Sequence, residues 1–451
     1  MPTVYLHDTR TGKLVALEPV VAGRVRIYAC GPTVYGRIHV GNARPFVVFS
    51  QLKRFLVSEG YTVQFVSNIT DINDKIYAAA LQAGVGSADL AREMAGFYVA
   101  DTDALGLGRP DQEPLASETI GPIIELIEQL VDDGHAYSVD GDVYFSVRDY
   151  PQYGELSHRD INQMDQGEGL EGATLKRDPL DFALWKGLKE GEDTSWDSPW
   201  GPGRPGWHIE CSAMAEDELG LGIEIHGGGS DLLFPHHENE SAQTFAARGE
   251  PLAHLWMHNG MVRLESEKMA KSIGNVFVLH TALERYGRDA LLMYFCGAHY
   301  RQPIEFDEER LAEASAQCTR IREAARRLID GPSPEWSAPL REAFADSLAN
   351  DFNTARALAA VFDWVREANR GAPGTVGSAD LHGMLGIFGL ANLVQRESQV
   401  APAEVVALAH EREAARSQRD FARADSLRDG IAALGWEVRD GPDGPDLLPL
   451  R

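Results

Sequence analysis

RVRIYAC, residues 24–30, alternates charged and apolar positions and so predicts a β-strand. Gly31-Pro32 breaks it. After a short turn, Gly41-Asn42-Ala43-Arg44 opens a run in which Phe46, Val47, Phe49, Leu52, Phe55 and Leu56 recur at the spacing of one buried helix face. Gly60 ends that helix, and Tyr61 to Ile69 predicts a second strand. Strand, loop, helix, strand is the opening of a parallel, doubly wound α/β sheet. Such sheets bind ligands where their strands end, which here means Cys30–Asn42 and Thr70–Asp74.

The chain of 451 residues is long enough for two to four domains. Residues 1–97 carry the first half of the sheet domain. From 98 to 200 the character changes. A helix over Ile120–Asp133 and short strands such as Asp142–Val147 precede many Gly, Asp and Pro residues, as in an insertion between two halves of a sheet. Residues 201–305 return to dense motifs. From Phe306 the chain becomes helical and rich in Ala, Arg and Glu, with Gly331-Pro332-Ser333-Pro334 separating two helical blocks. Small and polar residues near 396–402 form a linker between a region at 306–395 and another at 396–451. There is no internal repeat.

The hydrophobic fraction of 44% and charged fraction of 24% are those of a soluble globular protein. Four cysteines, Cys30, Cys211, Cys296 and Cys318, form no CxxC pair and are spaced too widely for a secreted disulfide framework. A reducing, cytoplasmic setting is expected. The first residues, MPTVYLHDTR, lack a basic segment followed by an apolar one, so no signal peptide is expected. No apolar run reaches roughly eighteen residues, so no membrane span is expected either. The net charge of -26 argues against a nucleic-acid partner, since phosphate contacts need Lys and Arg. A local basic face on an acidic protein is still compatible with one.

Cys30, Cys211, His236 and Glu240 would make a zinc shell of S, N and O donors. His236 and Glu240 are four apart and share a face if helical. Widely separated cysteines are more often unrelated core residues, and His237 and Glu238 compete for the same role. His39-Val40-Gly41-Asn42 could present donors to phosphate at a helix N-terminus, or could be a plain strand–helix turn. Lys268-Met269-Ala270-Lys271-Ser272 is a compact cation pair suited to a triphosphate, or a solvated loop. The glycines of His226-Gly227-Gly228-Gly229-Ser230-Asp231 suggest a backbone passing close to a ligand, or a flexible turn. No GxxxxGK[ST] string is present, and no GxGxxG follows the first strand.

The order of these strings is more telling than any one of them. Residues 28–35 (YACGPTVY), 39–42 (HVGN), 68–76 (NITDINDKI), 176–185 (KRDPLDFALW), 196–214, 226–231, 234–240 and 268–275 together resemble the cysteinyl-tRNA synthetases across the whole chain. The resemblance implies a class I, Rossmann-type parallel sheet domain split by a connective insertion and followed by α-helical C-terminal domains. It implies that 306–395 is a tRNA-contacting bundle and 396–451 an anticodon-binding region. His39, Asn42, Lys268 and Lys271 fall on the family's catalytic HIGH and KMSKS motifs, and Lys271, His39, Gly41, Gly228 and Asp231 on its ATP site. Thr70, Trp207 and His226 fall on its amino-acid pocket, and Cys30, Cys211, His236 and Glu240 on the ligands of one zinc ion per chain. Two positions depart from the motif names. Asn42 replaces the second His, keeping a donor but no titratable ring, and Ala270 replaces the first Ser.

The implied activity uses ATP with Mg²⁺ to activate L-cysteine as its adenylate and then charges tRNA(Cys), with zinc selecting the substrate thiol. A monomer and no membrane partner are expected. The rivals are a cysteine ligase of the mycothiol pathway and an idle synthetase paralogue. A tRNA partner needs a basic surface. Arg320, Arg322, Arg326 and Arg327 are candidates, as are Arg412, Arg416, Arg419, Arg423 and Arg428, although each group could instead be laced to neighbouring acids. Trp436 could stack on a base or sit in a core.

Overall fold

The computed structural model describes residues 3–164, 174–264, 267–268, 277–395, 401–441 and 444–449. Two compact units result, Met1–Val394 and Gln395–Arg451.

In the first unit, β1 (Tyr5–Asp8) and β2 (Lys13–Ala16) form an antiparallel hairpin. Then come β3 (Arg24–Ala29), α1 (Val40–Ser58), β4 (Thr62–Val66), α2 (Asp74–Ala83) and α3 (Ser87–Asp103). The insertion comprises α4 (Ile120–Asp132) and the strands β5 (Ala136–Val139), β6 (Asp142–Phe145), β7 (Phe182–Gly187) and β8 (Gly203–Pro205). After it come α5 (Trp207–Leu219), β9 (Ile223–Gly229), α6 (Glu238–Arg248) and β10 (Ala253–Asn259).

The central sheet has the order β10-β9-β3-β4, and all its pairs are parallel. All seven residues of β9 are buried, as expected when both faces of a parallel sheet are covered. From β3 the chain crosses to β4 on one side, and it later returns to β9 on the other. The winding therefore reverses between β3 and β9, and the ends of these two strands form the crevice where such sheets bind ligands. The second predicted strand is shorter than expected. It stops at Val66, because Ser67 and Ile69 donate instead to the carbonyls of Gln112 and Pro114 at 3.2 and 2.9 Å.

The insertion strands form a separate antiparallel sheet, β5-β6-β7-β8. Its core joins Ile123, Leu126, Phe145, Phe182 and Trp185 to Ile209 and Ala213 of α5. Cys211, Met214 and Ala215 of the same helix pack into the core of the parallel sheet instead. A helix buried on both sides thus ties the insertion to the crevice.

Short strands β11 (Val262–Leu264) and β12 (Glu267–Lys268) pair antiparallel, and β11 also pairs in parallel with β13 (Ile304–Glu305). Helices α7 (Leu279–Cys296), α8 (Glu308–Ala325), α9 (Ala338–Ala349), α10 (Thr354–Ala368) and α11 (Ala379–Ile387) complete the unit. Phe344, Leu348, Val361, Trp364 and Leu385 share one core with the α1 face predicted from sequence. Arg44 of α1 is buried and donates to the carbonyls of Gly260, Met261 and His299 at 2.5, 3.3 and 3.3 Å, pinning the approach to β11.

In the second unit, α12 (Ala403–Ser417) and α13 (Phe421–Ala433) pack with a hairpin of β14 (Trp436–Gly441) and β15 (Gly444–Pro449). Trp436 lies in this unit's core with Val405, Ala409, Ile431 and Val438, 7% exposed, so its ring packs and does not stand free. No described helix is long and apolar enough to cross a membrane.

Candidate active site and metal centre

Cys30 follows β3 directly. Its N–H donates to the Gly227 carbonyl of β9 at 3.0 Å, which sets the thiol at the reversal point of the sheet. Gly31 then turns the chain against Asn68. The Asn68 Oδ1 accepts from Gly31 N–H at 2.9 Å, and a Cβ at Gly31 would stand 1.7 Å from the Asn68 carbonyl oxygen, so only glycine fits.

Cys211 reaches the same point from α5, and His236 and Glu240 reach it from the chain after β9. His236 sits in a wide π-type turn, Leu233–His237, and Glu240 lies in the first turn of α6. They do not share one regular helix, yet His236 Nε2 and Glu240 Oε1 are 3.0 Å apart. Cys30 Sγ is 3.6 Å from His236 Nε2 and 3.4 Å from Glu240 Oε1. One donor atom from each of the four residues falls within 4.8 Å of all the others, and all four residues are buried. An overlapping set of Cys30, His226, His237 and Glu240 meets the same limit. Both sets can hold a metal ion; the first offers two sulfurs, the second one.

Further histidines support these. His208 Nδ1 is 2.9 Å from His236 Nδ1, leaving Nε2 of His236 to face the thiols. Metal-binding imidazoles are usually oriented by such a partner on the opposite nitrogen. The Trp207 ring stacks on His236 at 4.3 Å. His237 Nδ1 is 2.7 Å from His258 Nε2, and His258 Nδ1 is 2.7 Å from Thr9 Oγ1. His226 stacks on Tyr28 at 5.1 Å, with its Nε2 3.0 Å from Glu240 Oε2.

The charges in this pocket are strongly perturbed. Cys211 is pulled down to about 6, first by its hydrogen bond with Cys30 and against its burial. Burial pushes the Cys30 thiol well up, and Cys211 and Glu240 add to this. Burial alone would depress His236, but the Glu240 and Cys211 charges outweigh it and raise it to about 10. Burial depresses His258 to about 3. The thiolate and carboxylate thus hold a positive charge on His236, and a soft divalent metal would supply that charge in place of the imidazole proton.

A cleft of about 590 Å³ opens beside this cluster and is lined by Cys30, Thr33, His39, Gly41, Asn42, Trp207 and Asp231, among others. His39 is the N-cap of α1. Its Nδ1 accepts from Asn42 N–H at 3.3 Å, and Asn42 Oδ1 accepts from His39 N–H at 3.4 Å, a reciprocal capping box. The capping role is thus present together with a place on the cleft wall. It also gives Asn42 a structural use, since its amide oxygen closes the box.

Other predicted residues stand further back. Thr70 is buried behind the 30–33 loop, where its hydroxyl accepts from Asn68 Nδ2 at 3.1 Å. The three glycines end β9 and are not a turn. The space beside Gly228 is taken by Leu232 and His237, and that beside Gly227 by the Met257 carbonyl and the Phe49 ring, so neighbouring protein atoms demand the glycines. Gly229 is the one that lines the cleft. Lys268 lies on β12, opposite Arg263. Lys271 and residues 269–276 lie outside the described residues.

Sequence reasoning missed His208, Glu210, His258 and Asn68. His208 and Glu210 had a signal, since both stand in the WHIEC string that contains Cys211. The arginine clusters are largely committed within the protein. Arg322 pairs with Asp289, Arg327 donates to the Gly371 carbonyl at 3.0 Å, and Arg320 lies 5.4 Å from the Phe362 ring centroid. In the second unit Arg412 and Arg416 share Asp440, Arg423 pairs with Glu411, and Arg428 pairs with Asp425.

Residues 16–316 match the family described as tRNA synthetases class I (C) catalytic domain, and residues 343–394 match the DALR domain. The chain is 44% identical to the cysteine–tRNA ligase of Pseudothermotoga lettingae over 436 residues, 94% of each chain. It is 42% identical to that of Pelotomaculum thermopropionicum, over 97% of this chain and 98% of the relative. Among solved structures, Mycobacterium tuberculosis methionyl-tRNA synthetase in complex with methionyl-adenylate superposes with a TM-score of 0.60 at 16% identity, over 82% of this chain and 90% of that one. An Agrobacterium radiobacter K84 complex of LeuRS, tRNA and LeuAMS gives 0.61 at 12% identity, over 85% and 87%. These structural likenesses speak for the fold. With the family match and the near full-length relatives, the chain belongs to the class I aminoacyl-tRNA synthetases, in the cysteine–tRNA ligase family.

Proposed function

We propose that this chain activates L-cysteine with ATP and Mg²⁺ to cysteinyl-adenylate, and then transfers the cysteinyl group to the terminal ribose of tRNA(Cys). The observation that carries the reading is the buried Cys30, Cys211, His236 and Glu240 group opening on the cleft that His39 and Asn42 also line. The donor set fits zinc, with two sulfurs, one imidazole nitrogen oriented by His208, and one carboxylate. When bound, zinc supplies a soft Lewis-acid site that favours a thiolate over a hydroxyl, which separates cysteine from serine.

The remaining work belongs to this chain's own residues. The cysteine carboxylate attacks the ATP α-phosphate and pyrophosphate leaves. Such chemistry needs positioning and charge neutralisation more than a protein nucleophile. His39, Asn42 and Gly41 stand at the N-terminus of α1, where backbone N–H groups and the helix dipole favour phosphate. Lys268 and Lys271 are assigned to the leaving phosphates and Asp231 to the nucleotide side of the cleft, with Gly228 behind it as support. Trp207, Thr70 and His226 are assigned to the amino-acid pocket, Thr70 and His226 acting from behind its wall. Residues 1–97 and 201–305 form the catalytic domain, 98–200 its insertion, 306–395 the tRNA-contacting bundle and 396–451 the anticodon-binding region. The enzyme acts as a cytoplasmic monomer.

Cysteine-dependent exchange of labelled pyrophosphate into ATP, followed by charging of tRNA(Cys), tests this. Exchange with cysteine and not serine, followed by aminoacyl-tRNA, is the expected result. Exchange without transfer to tRNA would overturn the second half.

A further inference from the structure

The cleft adjoins a smaller cavity of about 200 Å³ that shares Thr33, Lys75 and Trp207 with it. Glu210 forms part of that cavity's wall. It stands on α5 one residue before Cys211 and three after Trp207. Glu210 is 1% exposed, and neither of its carboxylate oxygens has a hydrogen-bond partner among the described residues.

Of the cations near Glu210, Arg204 and Lys186 are hydrogen-bonded to other acids, and His236 acts on it only through space. Arg204 binds Asp74 and Glu192, and Lys186 binds Asp74 at 2.7 Å. Lys75 is exposed at the rim of both cavities, its Nζ 5.7 Å from the Tyr35 ring centroid. Asp71, which adds negative charge beside Glu210, is held by Ser117 N–H at 2.9 Å, and no cation pairs with it among the described residues. A buried carboxylate without a partner is costly, and a ligand that brings a cation removes that cost.

The location says which cation. Glu210 and Cys211 leave α5 about 100° apart, and Glu210 turns to the cavity that meets the cleft of Cys30 at Thr33, Lys75 and Trp207. In an α-amino acid with a β-thiol, the ammonium and the sulfur are close, separated by only two carbons. A thiol held at the metal cluster with its α-carbon turned toward that shared wall presents its ammonium on the Glu210 side. We propose that Glu210 accepts the α-ammonium of the substrate amino acid and so distinguishes α-amino thiols from plain thiols. This rests on the cysteine-activating reading above. Two anchored points leave the substrate carboxylate as the group free to react.

The test compares L-cysteine with 3-mercaptopropionate, which keeps the thiol and carboxylate but lacks the ammonium. Binding of each to the full-length protein is measured by calorimetry for wild type and Glu210→Gln, with metal content determined for both. Wild type is expected to prefer cysteine by on the order of 10- to 100-fold, the usual worth of a hydrogen bond to a charged group. Glu210→Gln should retain its metal and bring the ratio to about one, chiefly by weakening cysteine. If Glu210→Gln loses its metal, Glu210→Asp decides. A ratio between one and the wild-type value supports the assignment, and an undiminished ratio overturns it. Wild-type protein that prefers cysteine while Glu210→Gln keeps that preference overturns this proposal alone. Wild-type protein that binds neither thiol overturns the cysteine reading together with it.

Discussion

At the scale of single residues, four side chains from three separate stretches of chain converge on one buried point, and each arrives for a different local reason. Cys30 follows a strand, Cys211 lies on a helix shared by two cores, His236 sits in a wide turn, and Glu240 is in the first turn of a helix. Removing one donor leaves the others buried without compensation. Cys30→Ser and His236→Ala should each lose the bound metal and cysteine-dependent pyrophosphate exchange together, read by elemental analysis and the exchange assay. Full exchange by a metal-free variant would refute the metal's role. Cys296 and Cys318 are buried thiols pushed to about 12 by burial, so Cys296→Ala should leave both readouts close to wild type. Cys30 and Cys211 were legible because their neighbours match a known order of motifs. Glu210 and His208 stand in the same string as Cys211, but their roles lie in what they touch after folding. The WHIEC string marked the neighbourhood of both, but that one is an unpartnered carboxylate and the other faces a second imidazole shows only in three dimensions.

At the scale of elements, the N-terminus of α1 combines two tasks, since His39 both caps the helix and faces the cleft. Substitution can separate them. His39→Ala should cost about 1 kcal/mol of stability through the lost cap and also slow adenylate formation. His39→Asn should restore most of the stability, because Asn caps well, but not the rate. Urea melts alongside pyrophosphate exchange measure both. A variant recovering neither would mean that His39 does more for packing than capping.

The turn between α9 and α10 carries a second junction. Asp351 accepts from His7 N–H at 3.1 Å and Tyr300 OH at 2.9 Å, and it pairs with Arg301 and His299. Burial opposes ionisation there, but the His299, Arg301 and Tyr300 contacts outweigh it and hold the carboxyl at about 2. A carboxyl depressed on folding stabilises the native state above its unfolded value near 4 and loses that contribution as pH falls toward 2. Wild type should therefore lose about 2 kcal/mol across that window through this group. Asp351→Asn should begin less stable by a similar amount and show less of the acid-side slope in urea melts at successive pH values. The elements themselves were largely readable. β3, α1 and α4 follow from alternation and helical spacing. The end of β4 was not, because its last residues are drawn away by Gln112 and Pro114, some forty-five positions further along. Neither was the hairpin at the C-terminus, where Trp436-Glu437-Val438-Arg439 alternates but follows a long helical stretch.

At the scale of the whole molecule, the net charge of -26 sets a tRNA partner a condition. Many arginines that could meet phosphate already pair with acids in the same chain. Phosphates would then have to displace these exposed ion pairs, and each such contact is weakened as salt rises. The logarithm of tRNA affinity should fall linearly with the logarithm of salt, with a slope set by a handful of phosphates, as filter binding from low to moderate salt would show. A flat response would mean that the partner is not held by its backbone. Arg326→Ala should reduce that slope by about one if its exposed guanidinium is among the contacts.

The reversal of the sheet between β3 and β9 has a further consequence, for the order in which the protein can be made. Cys30 leaves the ribosome early, but its companions Cys211, His236 and Glu240 follow only after the whole insertion has been synthesised. Contacts so distant in sequence close late and slowly. The insertion has a hydrophobic core in which Ile209 and Ala213 of α5 take part, so this helix can be placed before β9 adds to the parallel sheet. A metal ion that needs both halves binds only the assembled sheet, and its affinity adds to the stability of that state and of no earlier one. Metal uptake by nascent chains would then mark the moment at which the two halves meet, turning the Cys30, Cys211, His236 and Glu240 cluster into a seal on finished folding.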